Sequence, residues 1–268
     1  MVVKKIAVIT GGTSGIGLET AKALIKKDWF VYTVSRRNFN FFPEEKSFHF
    51  SSDITDETAV KTVFAKIWER EKRLDLLVCA AGFGISGAVE FTDIERAKKQ
   101  FDVNFFGAFL SLRTAFPYMR MQGFGKILTV GSIAGEIAIP FQAFYSASKA
   151  ALGKLVEAFN AEASPFGICC SLIMPGDVAT PFTEIRNKSE EGNDIYGGRI
   201  SRSISKMEKD EKGGMSAEKL GAFIAFLAEK KKLKFCYPYN GKYAFLLWLY
   251  RILPRSFALF LIKIIYAE

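Results

Sequence analysis

Short apolar runs alternate with longer stretches of helical periodicity along most of the chain. Lys5–Thr10 (KIAVIT), Phe30–Ser35 (FVYTVS), Ser47–Phe50 (SFHF), Leu74–Ala80 (LDLLVCA), Gly125–Gly131 (GKILTVG) and Ile168–Met174 (ICCSLIM) are the β-rich runs. Their near-continuous apolar character is what strands covered on both faces require. Helical spacing of apolar positions falls between them, at Gly17–Lys27 and at about 56–72, 93–121, 143–164 and 216–230. This alternation predicts a single-domain α/β fold, a Rossmann-type doubly wound parallel sheet flanked by helices.

Two segments depart from the alternation. Residues 183–215 are polar, charged and glycine-studded, and they follow the sixth strand. A long insertion at a strand's carboxyl end is the place for a lid over an active site; the alternative is a surface loop. Residues 242–268 are strongly apolar, and Pro254 divides them into two short helices. The expected division is therefore a catalytic domain over 1–240, with 183–215 as its lid or loop, and an apolar helical extension over 241–268. The charge-free runs YAFLLWLY and SFALFLI fall short of the ~20 residues a membrane span needs. The segment's charges are Lys242, Arg251, Arg255, Lys263 and Glu268, a basic excess. Such helices either pack on the domain, closing a pocket or forming an oligomer contact, or lie in a membrane interface. Both readings imply an apolar substrate.

The chain has 268 residues, 49% of them apolar, which suits one large α/β domain. Its net charge of +9 is compatible with nucleic acid, a membrane surface or an anionic ligand. The Lys and Arg residues form no dominant block, and neither a zinc-finger spacing nor an RNA-binding signature is present, so nucleic acid is not an expected partner. Cys79, Cys169, Cys170 and Cys236 form no ladder of spaced pairs and read as reduced thiols. The amino terminus is too short in its apolar part for a secretion signal. The expected location is the cytoplasm, with peripheral membrane contact through 242–268 as the open question. Asn187-Lys188-Ser189 matches a glycosylation sequon by chance on this reading. His49 is the sole histidine, lies in the third strand, and belongs to no metal-ligand cluster.

The chemistry enters at TGGTSGIG (Thr10–Gly17), between the first strand and the first helix. Gly11, Gly15 and Gly17 suit a tight turn that lets backbone approach a pyrophosphate at a helix N-terminus; the plain alternative is a structural turn. The second strand ends in Ser35, Arg36 and Arg37, where an NAD site would place a carboxylate for the ribose. Guanidinium groups there pair with a 2′-phosphate, which points to NADP(H), unless they are solvated surface charges. Asp53 ends the third strand, placed to hold an adenine amino group, to cap a helix starting near Thr55, or both. Tyr145 and Lys149 in YSASK are four apart and share a helix face. An adjacent ammonium is expected to lower the tyrosine's pKa towards a working range, and Ser132 at a strand end to hold a carbonyl beside it.

These motifs together resemble the short-chain dehydrogenase/reductases over roughly residues 4–240. The matching elements are TGGTSGIG, Asp53, Ala80–Gly82 (AAG), Asn104–Gly107 (NFFG), Gly131–Ser132, YSASK and Pro175–Thr180 (PGDVAT), in the family's order and spacing. The resemblance implies catalytic roles for Asn104, Ser132, Tyr145 and Lys149. Tyr145 would be the acid in reduction and the base in oxidation, Lys149 would bind the nicotinamide ribose, and Asn104 would hold a water of a proton relay. It implies a cofactor site from Gly11, Thr13, Ser14, Gly15, Ile16 and Gly17 in the loop, and Ser35, Arg36 and Arg37 after the second strand. Asp53 and Ile54, Ala81 and Gly82, and Pro175, Gly176, Val178 and Thr180 would complete it, with Val178 and Thr180 at the carboxamide. The family often reads Asn-Asn-Ala-Gly where this chain has Cys79-Ala80-Ala81-Gly82, so the usual contacts around the fourth strand are in doubt; Cys79 reads as a small apolar filler. The implied reaction interconverts a secondary alcohol and a ketone on a hydrophobic substrate. Hydroxysteroids come first and retinoids or sphingoid ketones next, because FYSASKAAL…AEASPFGI and the apolar tail look similar to those of members acting on such molecules; a small carbonyl, on a sugar or an acyl thioester, is the further alternative. The implied assembly is a homo-dimer or homo-tetramer through the helices at about 100–121 and 143–164. A non-catalytic NADP(H)-binding module is the competing class, although such proteins typically lose the Tyr or Lys retained here.

Overall fold

The computed structural model describes residues 4–38 and 42–267. Residues 1–3, 39–41 and 268 lie outside, and with them the first residues of the expected 1–240 domain and the Glu268 charge. In chain order the elements are β1 (Lys5–Thr10), α1 (Gly15–Ile25), β2 (Trp29–Ser35), β3 (Ser47–Ser51), α2 (Glu57–Glu71), β4 (Leu76–Cys79), β5 (Ile85–Ser86), α3 (Ile94–Phe101), α4 (Ala108–Gln122), β6 (Gly125–Val130) and α5 (Ala143–Ala163). They continue with β7 (Ile168–Met174), β8 (Val178–Ala179), α6 (Phe182–Ile185), β9 (Asn187–Lys188), α7 (Arg199–Lys212), β10 (Met215–Ser216), α8 (Ala217–Glu229), β11 (Cys236–Pro238), α9 (Gly241–Ile252) and α10 (Arg255–Tyr266).

Seven strands make one parallel sheet in the order β11-β7-β6-β4-β1-β2-β3. The chain enters at the centre, winds outward to β3, then returns to β4 and winds the other way. The strand ends of β1 and β4 therefore diverge, and the crevice between them is where open α/β sheets bind ligands. Alternation along β1 sorts the core: Ile6 and Val8 pack with Phe64 of α2, Leu112 of α4 and Val156 of α5. Ala7 and Ile9 face the other way, towards Leu24 of α1 and Ile224 of α8. Each such fully buried aliphatic side chain contributes roughly 1.5–3 kcal/mol relative to exposure. This two-faced burial is why the strand runs are apolar without interruption.

The structure corrects four details. Residues 183–215 are not one loop: α7 occupies Arg199–Lys212, with Ile200, Ile204 and Met207 buried along one face. Charged residues surrounding that narrow stripe hide its periodicity. The expected helix over 93–121 is α3 and α4 joined by a π-helical stretch, Asp102–Gly107. A seventh strand, β11, closes the sheet edge with three residues, too few for a periodic signal. Asp53 does not cap α2; Asp56 does, accepting from Ala59 N at 2.9 Å. Asp53 instead turns the chain just before the helix, its Oδ1 accepting from both the backbone N and the hydroxyl of Thr55 at 2.9 Å.

Candidate active site

Backbone packs tightly around the loop from β1 to α1. A Cβ on Gly17 would lie 2.3 Å from the Gly11 carbonyl oxygen, and one on Gly11 2.7 Å from the Ala81 backbone. Ser14 precedes α1 in extended conformation without a side-chain cap, and the helix's first turn carries no acidic residue. Its backbone N–H groups and the positive end of its dipole are thus left for an anion. Thr180, on the far side of the crevice, approaches Gly15 to within 3.4 Å of where a Cβ would sit.

The end of β2 is braced from beneath. The Thr13 and Ser35 hydroxyls are 3.0 Å apart, and Ser51 Oγ donates to the Arg36 carbonyl at 3.0 Å. His49 Nε2 lies 2.8 Å from the Arg37 carbonyl, which only accepts, so this nitrogen carries the proton and Nδ1 accepts from Thr33. Burial holds the His49 pKa below its usual value. With the backbone tied inward, Arg36 and Arg37 are exposed at the crevice's outer end. The Ile54 side chain belongs to the core, against Gly107, leaving only its backbone for a ligand.

The α5 helix places Tyr145 and Lys149 one turn apart. Lys149 is 7% exposed; its Nζ donates to the Val130 carbonyl at 2.9 Å and sits 6.0 Å from the Tyr145 ring centre. Burial lowers its pKa to about 8. The expected lowering of Tyr145 does not occur. Burial pushes its phenol up to about 12; the Ser132 hydrogen bond and the Arg186 charge oppose this, while Glu211 and Asp177 reinforce it. Desolvation of the phenolate is the largest cause of the shift. Asn104, fully buried in the π-helical stretch, accepts from Phe83 N and donates to Phe83 O, both at 3.0 Å, and donates to Ser148 Oγ at 3.2 Å. Single π turns are frequent at functional sites, and here the widened turn coincides with this amide. A Cβ on Gly82 would come within 3.1 Å of Asn104 Oδ1 and 3.7 Å of Lys149 Nζ, so both groups border the same side of Gly82.

Cys79 sits in register between Thr10 of β1 and Thr129 of β6, in the sheet's centre. Burial pushes its thiol up to about 12, which suits an inert filler. The Thr10 hydroxyl beside it is buried without a hydrogen-bond partner.

Tyr145 and Ser132 face a cavity of about 360 Å³. Gly11, Ser14, Gly15 and Ile16, Ala81 and Gly82, and Pro175, Gly176, Val178 and Thr180 border the same space. Asn104 supports it from behind, while Arg36, Arg37, Asp53 and Ile54 lie outside its walls. Sequence reasoning missed the groups opposite Tyr145. Phe182 packs on the Tyr145 ring at 5.6 Å, and the Arg186 guanidinium lies over Phe182 at 5.4 Å. Arg186 is ion-paired with Glu211, which also accepts from the Thr183 hydroxyl at 2.6 Å. Asp177 accepts from the Tyr243 hydroxyl at 2.7 Å, pinning α9 to the loop after β7. Leu249, Tyr250, Leu261 and Ile262 of α9 and α10 complete the apolar wall. The apolar tail is one expected way of closing a pocket; Phe182, Arg186 and Glu211 carry no signal of their own in or beside the charged stretch 183–215.

The residues present fit a dinucleotide with an additional phosphate. A glycine cradle that a Cβ would fill, an uncapped helix start, a buried cation and two exposed guanidinium groups lie along one crevice, and no carboxylate ends β2.

Comparison with known proteins agrees with this geometry. The family model for short chain dehydrogenases matches residues 5–191. A 3-ketodihydrosphingosine reductase of Bacteroides thetaiotaomicron is 38% identical over 236 residues, 86% of each chain. A solved short-chain dehydrogenase from Streptomyces avermitilis superposes with a TM-score of 0.84 at 26% identity, covering 94% of this chain and 93% of that one. The structure of ElxO with NADP bound superposes with a TM-score of 0.75 at 25% identity, covering 90% of this chain and 99% of that one.

Proposed function

Because the chain belongs to the short-chain dehydrogenase family, we propose that it is an NADP(H)-dependent oxidoreductase that reduces the ketone of a hydrophobic lipid, with sphingoid ketones as the favoured class. The observation that carries this reading is the largely apolar cavity that Tyr145 and Ser132 line together with residues of α9 and α10. The sphingoid ketone reductase from Bacteroides thetaiotaomicron, alike over 86% of both chains, supports placing that class ahead of steroids. The sequence reading takes the opposite order because a greasy tail alone does not distinguish a sterol from an alkyl chain.

Gly11, Ser14, Gly15 and Ile16 would hold the pyrophosphate, Arg36 and Arg37 the 2′-phosphate, Lys149 the ribose, and Val178 and Thr180 the carboxamide. The nicotinamide, when bound, supplies the hydride. Ser132 Oγ orients the substrate's carbonyl oxygen. Tyr145 Oη, protonated at neutral pH because burial holds its pKa up to about 12, donates its proton to that oxygen. Asn104 fixes the Phe83 backbone below the site and shares one side of Gly82 with Lys149. A water held between those two groups would carry the replacement proton. Phe182 and the apolar cavity wall keep bulk water from the reacting carbon. On the same reading the protein is cytoplasmic, and a homo-dimer or homo-tetramer packed through α4 and α5.

Replacing Tyr145 with Phe removes the proton donor and leaves the crevice intact. NADPH oxidation with a 3-ketosphinganine is expected to fall by about 10³-fold, while NADPH binding measured by nucleotide fluorescence changes little. Turnover retained in Y145F would refute the assignment. The exposed guanidinium pair predicts NADPH binding at least about tenfold tighter than NADH, a difference of about 1.4 kcal/mol. Equal affinities in the same titration would remove Arg36 and Arg37 from the site.

A further inference from the structure

The two C-terminal helices have more apolar surface than the cavity uses. Phe245, Trp248 and Ile252 stand at i, i+3 and i+7 on α9, and Phe257, Phe260 and Ile264 repeat that spacing on α10. All six are exposed, from 45% at Ile264 to 58% at Phe245. Leu249 and Tyr250 on α9 and Leu261 and Ile262 on α10 lie at other positions of the turn and line the cavity. Each helix is thus apolar on two faces, one turned to the site and one turned to solvent. A single domain rarely exposes this much large apolar side-chain surface without a partner for it.

Charge identifies that partner. Residues 241–266 carry Lys242, Arg251, Arg255 and Lys263 and no carboxylate. A second copy joined by a two-fold axis through this face would oppose one basic set with an identical one. An anionic lipid surface accepts both the aromatic residues and the cations. Each helix has 12 residues, about 18 Å long and too short to cross a bilayer, and no helix among the described residues is long and apolar enough to do so. They are suited to lie in the headgroup plane.

We propose that α9 and α10 dock in the interface of an anionic bilayer and form the passage by which a lipid moves from the bilayer into the cavity. The docking stands on the exposed face and its charge. The passage rests on the lipid-ketone reading above, since the same two helices wall the space that Tyr145 lines.

The test uses the full chain and sucrose-loaded phosphatidylcholine vesicles with and without phosphatidylglycerol. Co-sedimentation is expected to be at least about tenfold stronger with phosphatidylglycerol and to be reversed by salt. Trp248 is 55% exposed, so its emission should shift to the blue on binding. The F245S/W248S/F260S variant should lose vesicle binding. K242Q/R255Q/K263Q, which keeps the apolar face, should lose the preference for phosphatidylglycerol, retain the parent's circular dichroism and melting temperature, and turn over a short water-soluble ketone within about twofold of the parent. Equal binding to both vesicle types would overturn the proposal. So would the absence of vesicle binding combined with a concentration-dependent dimer that F245S/W248S/F260S abolishes, because a second copy would then cover the face. Binding is read without turnover: protein that binds these vesicles yet reduces no sphingoid ketone would overturn the substrate reading and leave the docking in place.

Discussion

Lys149 is 7% exposed, and one carbonyl accepts from its ammonium. Burial lowers its pKa from the ordinary 10.5 to about 8. Between those values the unfolded chain binds the proton and the folded chain does not, so this group adds stability as pH rises from about 8 towards 10.5 and imposes its full burial cost below about 8. Lys149→Met should therefore keep or raise the unfolding free energy at pH 7, by up to roughly 4 kcal/mol, while turnover collapses. In the parent, reduction should decline above pH about 8 as Nζ loses its charge. Tyr145, held up to about 12, stays protonated through that range. A reduction rate that stays level well above pH 8 would remove Lys149 from the reaction. The four-residue spacing made this pair legible in the sequence. The direction of the tyrosine's shift was not, because spacing reports which groups are neighbours and says nothing of how much water the fold removes from them. Arg186 and Glu211 were illegible for a related reason: they sit 25 residues apart in a charged stretch, and only the packing of α7 buries their pair.

Among the elements, α9 has the most consequential attachment. A Cβ on Gly176 would meet the Tyr243 ring at 2.1 Å, so the loop after β7 and the start of α9 touch where only glycine fits. Tyr243 then accepts from the Asp177 backbone N at 3.0 Å and donates to its carboxylate at 2.7 Å. Gly176→Ala should displace that ring and the cavity wall behind it, costing about 1–3 kcal/mol of stability and raising KM for a long-chain ketone several-fold. Tyr243→Ala makes room for the methyl group, so Gly176→Ala should cost less stability in a Y243A chain than in the parent. Equal costs in the two backgrounds would mean that the clash is not the cause. The main strands and most helices were legible because their burial patterns are long and regular. The three-residue β11, the π-helical stretch at Asn104 and the masked stripe of α7 were not, since each departs from regular periodicity over only a few residues.

For the molecule as a whole, strand–helix alternation was sufficient to anticipate the doubly wound sheet, because parallel strands need covered crossovers and crossovers have one hand. It did not reveal what closes the crevice, since that depends on where a segment after the last strand folds back. The +9 charge is likewise informative only once its location is known: four of the cations lie on α9 and α10, beside an exposed apolar face. α9 is held by the contact at Asp177 and by Tyr243 and Leu247, which pack with Ile133, Leu172 and Met174, and α10 by Tyr266, packed against the cluster of Ile200, Ile204 and Met207. On the proposed reading, hydride and proton control would belong to the sheet and α5, while the choice of guest would belong largely to α9 and α10, fewer than thirty residues. Such a piece can be exchanged with least effect on the reaction centre where the contact of Tyr243 with Gly176 and Asp177 is kept. Relatives with the same chemistry and a different clientele are therefore expected to diverge fastest after the last strand.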